Sequence, residues 1–182
     1  MKSRMEDKLL ELLTVYEWDH VRGPADAPFT LIEYGDYECP DCGRLFQSLR
    51  AIQDEMGPKL RLIYRHYPYS GIHKHAQQAA EAAEAASAQG RFWEMHDMLF
   101  ENQAALERKH LLDYAQRLQL DVERVRKELK DETHFQRVRK NFIEGVQNGV
   151  NGTPGLFLNG VRQQGSFDEA HVRAMLTWDA VR

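Results

Sequence analysis

Cysteine is scarce: the 182 residues hold two. Structural zinc takes four ligands, so one chain falls short on cysteine alone, and His73-Lys74-His75 has the wrong spacing for a zinc-finger pair. Only a site shared across a dimer stays open. There is no basic excess. Lys and Arg number 24 and Asp and Glu 28, giving 24 − 28 = −4, so no positive footprint argues for nucleic acid. No stretch approaches the roughly 18 uninterrupted apolar residues of a transmembrane helix. Glu6, Asp7 and Glu11 interrupt any apolar signal region near Met1, which leads to the expectation of a cytoplasmic protein with no signal peptide. Internal repeats and low-complexity tracts are absent.

The remainder is ordinary for a folded domain: 42% apolar, 29% charged, long enough to bury a sizeable core. Both cysteines fall in one tetrapeptide, Cys39-Pro40-Asp41-Cys42. In the cytosol such a lone pair suits catalysis or metal binding better than a permanent staple.

Punctuation along the chain sets the element order. Residues 5–16 have amphipathic helical spacing (Leu9, Leu10, Leu12, Leu13, Tyr16). Gly23-Pro24-Ala25-Asp26-Ala27-Pro28 is a break. A strand over 29–35 leads into a helix over about 40–56, with Pro40 in the first turn, where proline is tolerated, and Gly57-Pro58 as its stop. Leu60-Arg61-Leu62-Ile63-Tyr64-Arg65 reads as a second strand. From about 73 to 149 the pattern is helical, with breaks that predict helices near 76–88, 92–100, 107–118, 121–130 and 132–147, and Asp121 as an N-cap. Asn159-Gly160 between two short apolar runs predicts a hairpin, and Asp168 opens a last helix to about 180.

Two cysteines at i and i+3 on a first helical turn can close a readily exchanged disulfide, and the N–H groups of a helix start favour a thiolate at Cys39. Asp36, Glu38 and Asp41 act the other way, because like charge disfavours an anion. The balance predicts a less acidic thiol, and a less oxidising couple, than in a strong periplasmic oxidant, unless solvent and salt screen the acids. Glu33 lies six residues before Cys39 within an apolar strand, a costly place for a carboxylate without a purpose or a partner. It could instead face solvent or pair with Arg61 or Arg65. Tyr37, Tyr67, Tyr69, Phe92 and Trp93 could rim a groove, although such aromatics more often pack a core. His73 and His75 read as a surface feature at a helix start. His20, His66, His96, His110, His134 and His171 are scattered and receive no catalytic role, and Arg137-Val138-Arg139-Lys140 reads as a solvated helix face.

Several segments together carry a resemblance: Gly23-Pro24-Ala25-Asp26-Ala27-Pro28, Tyr34-Gly35-Asp36-Tyr37-Glu38-Cys39-Pro40-Asp41-Cys42-Gly43, Tyr64-Arg65-His66-Tyr67-Pro68, Gly152-Thr153-Pro154 and Leu158-Asn159-Gly160. Over roughly residues 18–178 the chain resembles the DsbA-like branch of the thioredoxin superfamily. The resemblance implies an α/β, thioredoxin-like fold with an inserted all-helical subdomain. Residues 1–17 would be an N-terminal extension and 18–180 the domain, with the insertion at about 70–149. It implies thiol:disulfide exchange with protein or small thiol and disulfide substrates and a recycling thiol reductant or oxidant as partner; the acids around Cys39 and the cytoplasmic placement make the expected exchange reductase-leaning. Cys39 would be the exposed nucleophile and Cys42 the buried resolving thiol. Glu33 would relay a proton to Cys42, and Pro40, Asp41 and Glu38 would tune the couple. Thr153-Pro154 would be a cis-proline loop that docks an extended substrate segment; an ordinary trans turn is the alternative. No cofactor beyond the Cys39–Cys42 disulfide and no metal is expected. Two other functions fit the fold: a redox-sensing or binding module, and a glutathione-dependent isomerase or transferase relative. Members of the latter group usually carry a serine or lone cysteine at the active position.

Overall fold

The computed structural model describes residues 15–165 and 167–178. Most of the expected helix at 5–16 and part of the proposed 1–17 extension lie outside them, as do the last residues of the domain.

Five strands form one sheet in the order β1-β3-β2-β4-β5: β1 (His20–Arg22), β2 (Phe29–Gly35), β3 (Leu60–His66), β4 (Gly155–Leu158) and β5 (Val161–Arg162). β2 and β3 run parallel, and the other pairs are antiparallel. The 2–3 crossover is helix α1 (Pro40–Met56), followed by a short 3-10 turn over Gly57–Lys59. Cys39 stands at the α1 N-cap with extended backbone, and Pro40 gives up an N–H that the first turn leaves unpaired anyway. β1 was not legible beforehand, since three residues, His-Val-Arg, are too short to show a period.

Strand alternation sends Thr30, Ile32 and Tyr34 to one face and Leu31 and Glu33 to the other. In the parallel register Tyr34 faces Arg65 and Glu33 faces Tyr64. Ile32, Tyr34, Ile63 and Phe157 pack with Tyr67 and Phe142 on one side. Leu31, Leu62 and Leu156 pack on the other against Leu45, Leu49 and Ile52 of α1, and against Val172 and Leu176 of α7 (Glu169–Trp178). The hairpin turn is as expected: Asn159 and Gly160 have φ +47° and +79°, the left-handed pair that matches strand twist.

Between β3 and β4 run five helices: α2 (Ala76–Ser87), α3 (Phe92–Glu101), α4 (Arg108–Arg117), α5 (Val122–Lys130) and α6 (Phe135–Gln147). Asp121 caps α5, accepting the Arg124 N–H at 3.0 Å. α2 is buried on nearly every side because its face is alanine, which brings neighbouring helices close at little cost in side-chain entropy. This helical core includes Tyr37, Cys39, Cys42 and Phe46. The cysteines therefore sit where the insertion meets α1.

The same subdomain holds a buried ion network. Glu84 Oε1 takes His20 Nε2 at 2.8 Å and His66 Nε2 at 2.9 Å, with Arg137 Nε at 3.6 Å. His20 also stacks on Phe92 at 3.4 Å. Burial alone would raise the Glu84 carboxyl, but the two histidine hydrogen bonds outweigh it and hold it well below the usual range. A carboxyl depressed in the folded state stabilises at pH above its unfolded value of 4.5, and that contribution fades as acid protonates it. Arg137 thus turns inward and Val138 is buried, so the 137–140 segment is not the wholly solvated face its charges suggest; Arg139 and Lys140 are exposed.

Candidate active site

The turn Asp36-Tyr37-Glu38 leads from β2 to Cys39 and is built around one carboxylate. Asp36 is 2% exposed. Its Oδ1 accepts the Glu38 N–H at 2.8 Å, an Asx-type closure, and its carbonyl accepts the Cys39 N–H at 3.1 Å. From the insertion, Gln103 Nε2 donates to Tyr37 O and Cys39 O, both at 2.9 Å. Gly43 makes room for this: a Cβ there would lie 2.0 Å from Gln103 Oε1. Gln103 carries no local signal that it belongs to the site, because only the tertiary fold brings it there.

Both thiols are free. Cys39 is 5% exposed rather than the open thiol expected, because the Thr153-Pro154 loop covers it: Sγ lies 3.4 Å from Thr153 O. The Thr153–Pro154 bond is cis. Cys42 is fully buried. The two thiols differ sharply in acidity. A hydrogen bond from the Cys42 thiol lowers Cys39 and outweighs the upward push of burial; Thr153 and the Cys42 backbone N–H lower it further, while Asp36 raises it, leaving it at about 6. Burial drives Cys42 well above its ordinary value, and its role as donor to Cys39 adds to that.

The acids expected to crowd Cys39 have partners. Asp41 is exposed and bonded to Arg44. Asp36 binds His73 and Glu38 binds His75. These histidines are half-buried against the active-site turn, which corrects the surface reading given to them. Pro40 is exposed beside Asp41.

Glu33 is 2% exposed, so it does not face solvent. Parity places Arg61 and Arg65 on the opposite sheet face, where Arg61 bonds Thr30 Oγ1 and Arg65 is held by Asp19 and Tyr34. Glu33 Oε1 finds no hydrogen-bond partner. Burial, and next the Cys39 charge, raise its carboxyl to about 8. A cavity of about 10 Å³, roughly one water's room, joins Glu33 to Arg22, Arg50 and Gln53, which also line an open surface cleft.

Thr153 and Pro154 form a ridge between two clefts of about 590 and 500 Å³. Asp41, Arg44 and Ser48 line the first and Asn151, Arg162 and Gln163 the second, with Phe167 common to both. Of the candidate rim aromatics, Tyr37, Tyr67 and Phe92 are core and Trp93 is partly buried, while Tyr69 is 50% exposed. Among the described residues, the one cluster with metal-ligand spacing is His20, His66 and Glu84, far in character from a cysteine site and already balanced by Arg137.

The thioredoxin family model matches residues 16–177, and the chain belongs to that family. Among solved structures, oxidised BdbD from Bacillus subtilis aligns with TM-score 0.80 at 23% identity, covering 90% of this chain and 94% of that one. The thiol-disulfide exchange protein alpha-DsbA2 from Wolbachia pipientis aligns with TM-score 0.78 at 17% identity, covering 97% and 92%. At these identities the shared property is the fold, a thioredoxin-like sheet with the helical insertion of DsbA-like proteins. A curated relative, Na(+)/H(+) antiporter NhaA 1 of Salinispora arenicola, is 44% identical over 159 residues, which is 87% of this chain and 24% of that protein. The chain thus spans about a quarter of the length of the curated relatives it matches. Among the described residues, no helix is long and apolar enough to cross a membrane.

Proposed function

We propose that the chain is a thiol:disulfide oxidoreductase that reduces disulfides of protein substrates through Cys39 and Cys42. The split acidity of the two thiols carries this reading. With a midpoint of about 6, Cys39 is about nine-tenths thiolate at pH 7, while Cys42 keeps its proton. The Cys39 thiolate attacks one sulfur of a substrate disulfide, a mixed disulfide forms, and the other substrate sulfur leaves as a thiolate. Cys42 then loses its proton and attacks Cys39 Sγ. The second substrate thiol departs, and the Cys39–Cys42 disulfide holds the oxidising equivalents until a thiol reductant returns two electrons.

Glu33 supports the second step. While Cys39 is a thiolate, its charge helps keep Glu33 protonated. Mixed-disulfide formation removes that charge and lowers the Glu33 carboxyl, so the buried base becomes available when Cys42 must lose its proton. The small cavity beside it gives a path for that proton to water. The ridge at Thr153-Pro154, with a cleft on each side, suits an extended substrate segment laid against the backbone facing Cys39.

A thiol at about 6 lies nearer to thioredoxin, about 7, than to the strongest oxidants, about 3.5, which supports the reductase leaning and a reducing compartment such as the cytoplasm. A second reading, a redox-sensing module, is favoured by one finding: relatives named as Na(+)/H(+) antiporters contain a region like this chain. Turnover separates the two. With dithiothreitol as reductant, a catalytic amount of protein is expected to reduce many equivalents of insulin disulfide. A single equivalent reduced per protein points to the sensor.

A further inference from the structure

The active-site turn carries two carboxylates two residues apart, Asp36 and Glu38, and the loop ahead of α2 carries two imidazoles with the same spacing, His73 and His75. Asp36 Oδ2 takes His73 Nδ1 and the Tyr69 N–H, each at 2.8 Å. Glu38 Oε1 takes His75 Nδ1 at 2.9 Å, and its Oε2 takes the His75 N–H at 2.7 Å. The 69–75 loop is thereby held to the turn that presents Cys39. The imidazole side chains keep 18% and 29% of their exposure, enough to exchange protons with water.

We propose that His73 is a positioning residue that sets how readily Cys39 ionises, its charged ring offsetting the Asp36 carboxylate on the turn that holds the thiol, while His75 fixes Glu38 on the same turn. The proposal rests on the exchange reading of the Cys39–Cys42 pair. A neutral ring with its proton on Nδ1 donates the same hydrogen bond as the charged ring. The geometry therefore survives titration and only the charge changes. With the His73 ring charged, Asp36 is balanced; with it neutral, the Asp36 charge acts on the sulfur uncompensated. The coupling runs both ways. Burial lowers the His73 ring, but Asp36 outweighs it and holds the ring above its ordinary value, with Cys39 and Glu38 adding to the same end. On Glu38, the His75 hydrogen bonds outweigh burial and lower the carboxyl.

Of the other groups around this assembly, Glu33 also titrates, its carboxyl held up to about 8 by burial and by the Cys39 charge in wild type and histidine variants alike. From α1, Cys42 donates to Cys39 and Asp41 is bonded to Arg44; from β2, Glu33 faces Cys39; Glu107, ahead of α4, faces His75 and is bonded to Lys109; Lys74 is exposed between the two rings. His73 is held above its ordinary value of 6.5, in part by the Cys39 charge, so the ring and the thiolate favour each other's charged form and titrate as a coupled pair.

The test uses the full reduced chain and needs no protein substrate. Thiolate absorbance near 240 nm and the iodoacetamide alkylation rate are followed against pH for wild type, His73→Gln, His73→Lys and His75→Gln. Glutamine can still donate to Asp36 but carries no charge, and lysine keeps the charge. His73→Gln is expected to raise the Cys39 midpoint by about one pH unit, with His75→Gln giving a smaller rise. His73→Lys is expected to keep the low midpoint and lose the histidine inflection from the rate profile. An unchanged midpoint in His73→Gln, or equal rises in the glutamine and lysine variants, overturns the proposal. Failure of the exchange reading registers elsewhere, as absent insulin turnover by a wild type whose titration is as described.

Discussion

Replacing Glu33 by leucine is expected to stabilise the fold and slow the enzyme, and both effects follow from one carboxyl. Unfolded, Glu33 ionises near 4.5; folded, it holds its proton to about 8. A carboxyl raised by folding costs nothing below its unfolded value, and its cost grows as pH rises toward the folded one. The difference corresponds to about 3 kcal/mol at pH 7 and about 5 kcal/mol above pH 8. Glu33→Leu should therefore raise Tm by about 10 °C or more at pH 8.5, and by far less at pH 4.5. Thermal scans at the two pH values check this. Equal shifts at both would mean that packing, and not ionisation, sets the cost. The same substitution removes the base for Cys42, so insulin reduction at pH 7 should fall about 100-fold. Glu33→Gln, nearly the same shape, should match that loss.

The cysteine variants are expected to separate attack from resolution. Cys39→Ser should abolish exchange, since the buried Cys42 holds its proton and cannot replace the nucleophile. Cys42→Ser should still attack and then stall, leaving a mixed disulfide visible by mass spectrometry. Normal turnover by Cys42→Ser would end the resolving role. Comparison with Cys42→Ala isolates the hydrogen bond that acidifies Cys39. Serine can still donate toward the sulfur and alanine cannot, so the Cys39 midpoint should climb further toward 9 in the alanine variant.

What could be read in advance depended on whether the signal was local. The apolar run of 29–35 and Pro40 at a helix start placed β2 and α1, and Asn159-Gly160 placed the hairpin, because each rule acts over a few neighbours. Glu33 stood out by its polarity within an apolar strand. Choosing between its possible partners needed the β2–β3 register, which puts Arg61 and Arg65 on the wrong face. The covering of Cys39 by Thr153 spans 114 positions, and the grip of Gln103 on its carbonyl spans 64. Neither leaves a mark at the cysteines themselves. Asp36 does raise Cys39 as its charge suggests, but the partners of Asp36 and Glu38, His73 and His75, lie 37 positions away and are assigned only by the folded chain.

The central claim is that Cys39 and Cys42 form a two-electron couple poised toward reduction. Equilibrating the full chain in glutathione buffers of graded ratio, then trapping and counting its thiols, tests this directly. A single transition from two thiols to an internal disulfide, at about −200 to −270 mV, is the predicted result. Stable glutathione adducts without an internal disulfide, or a midpoint near about −120 mV, would contradict it.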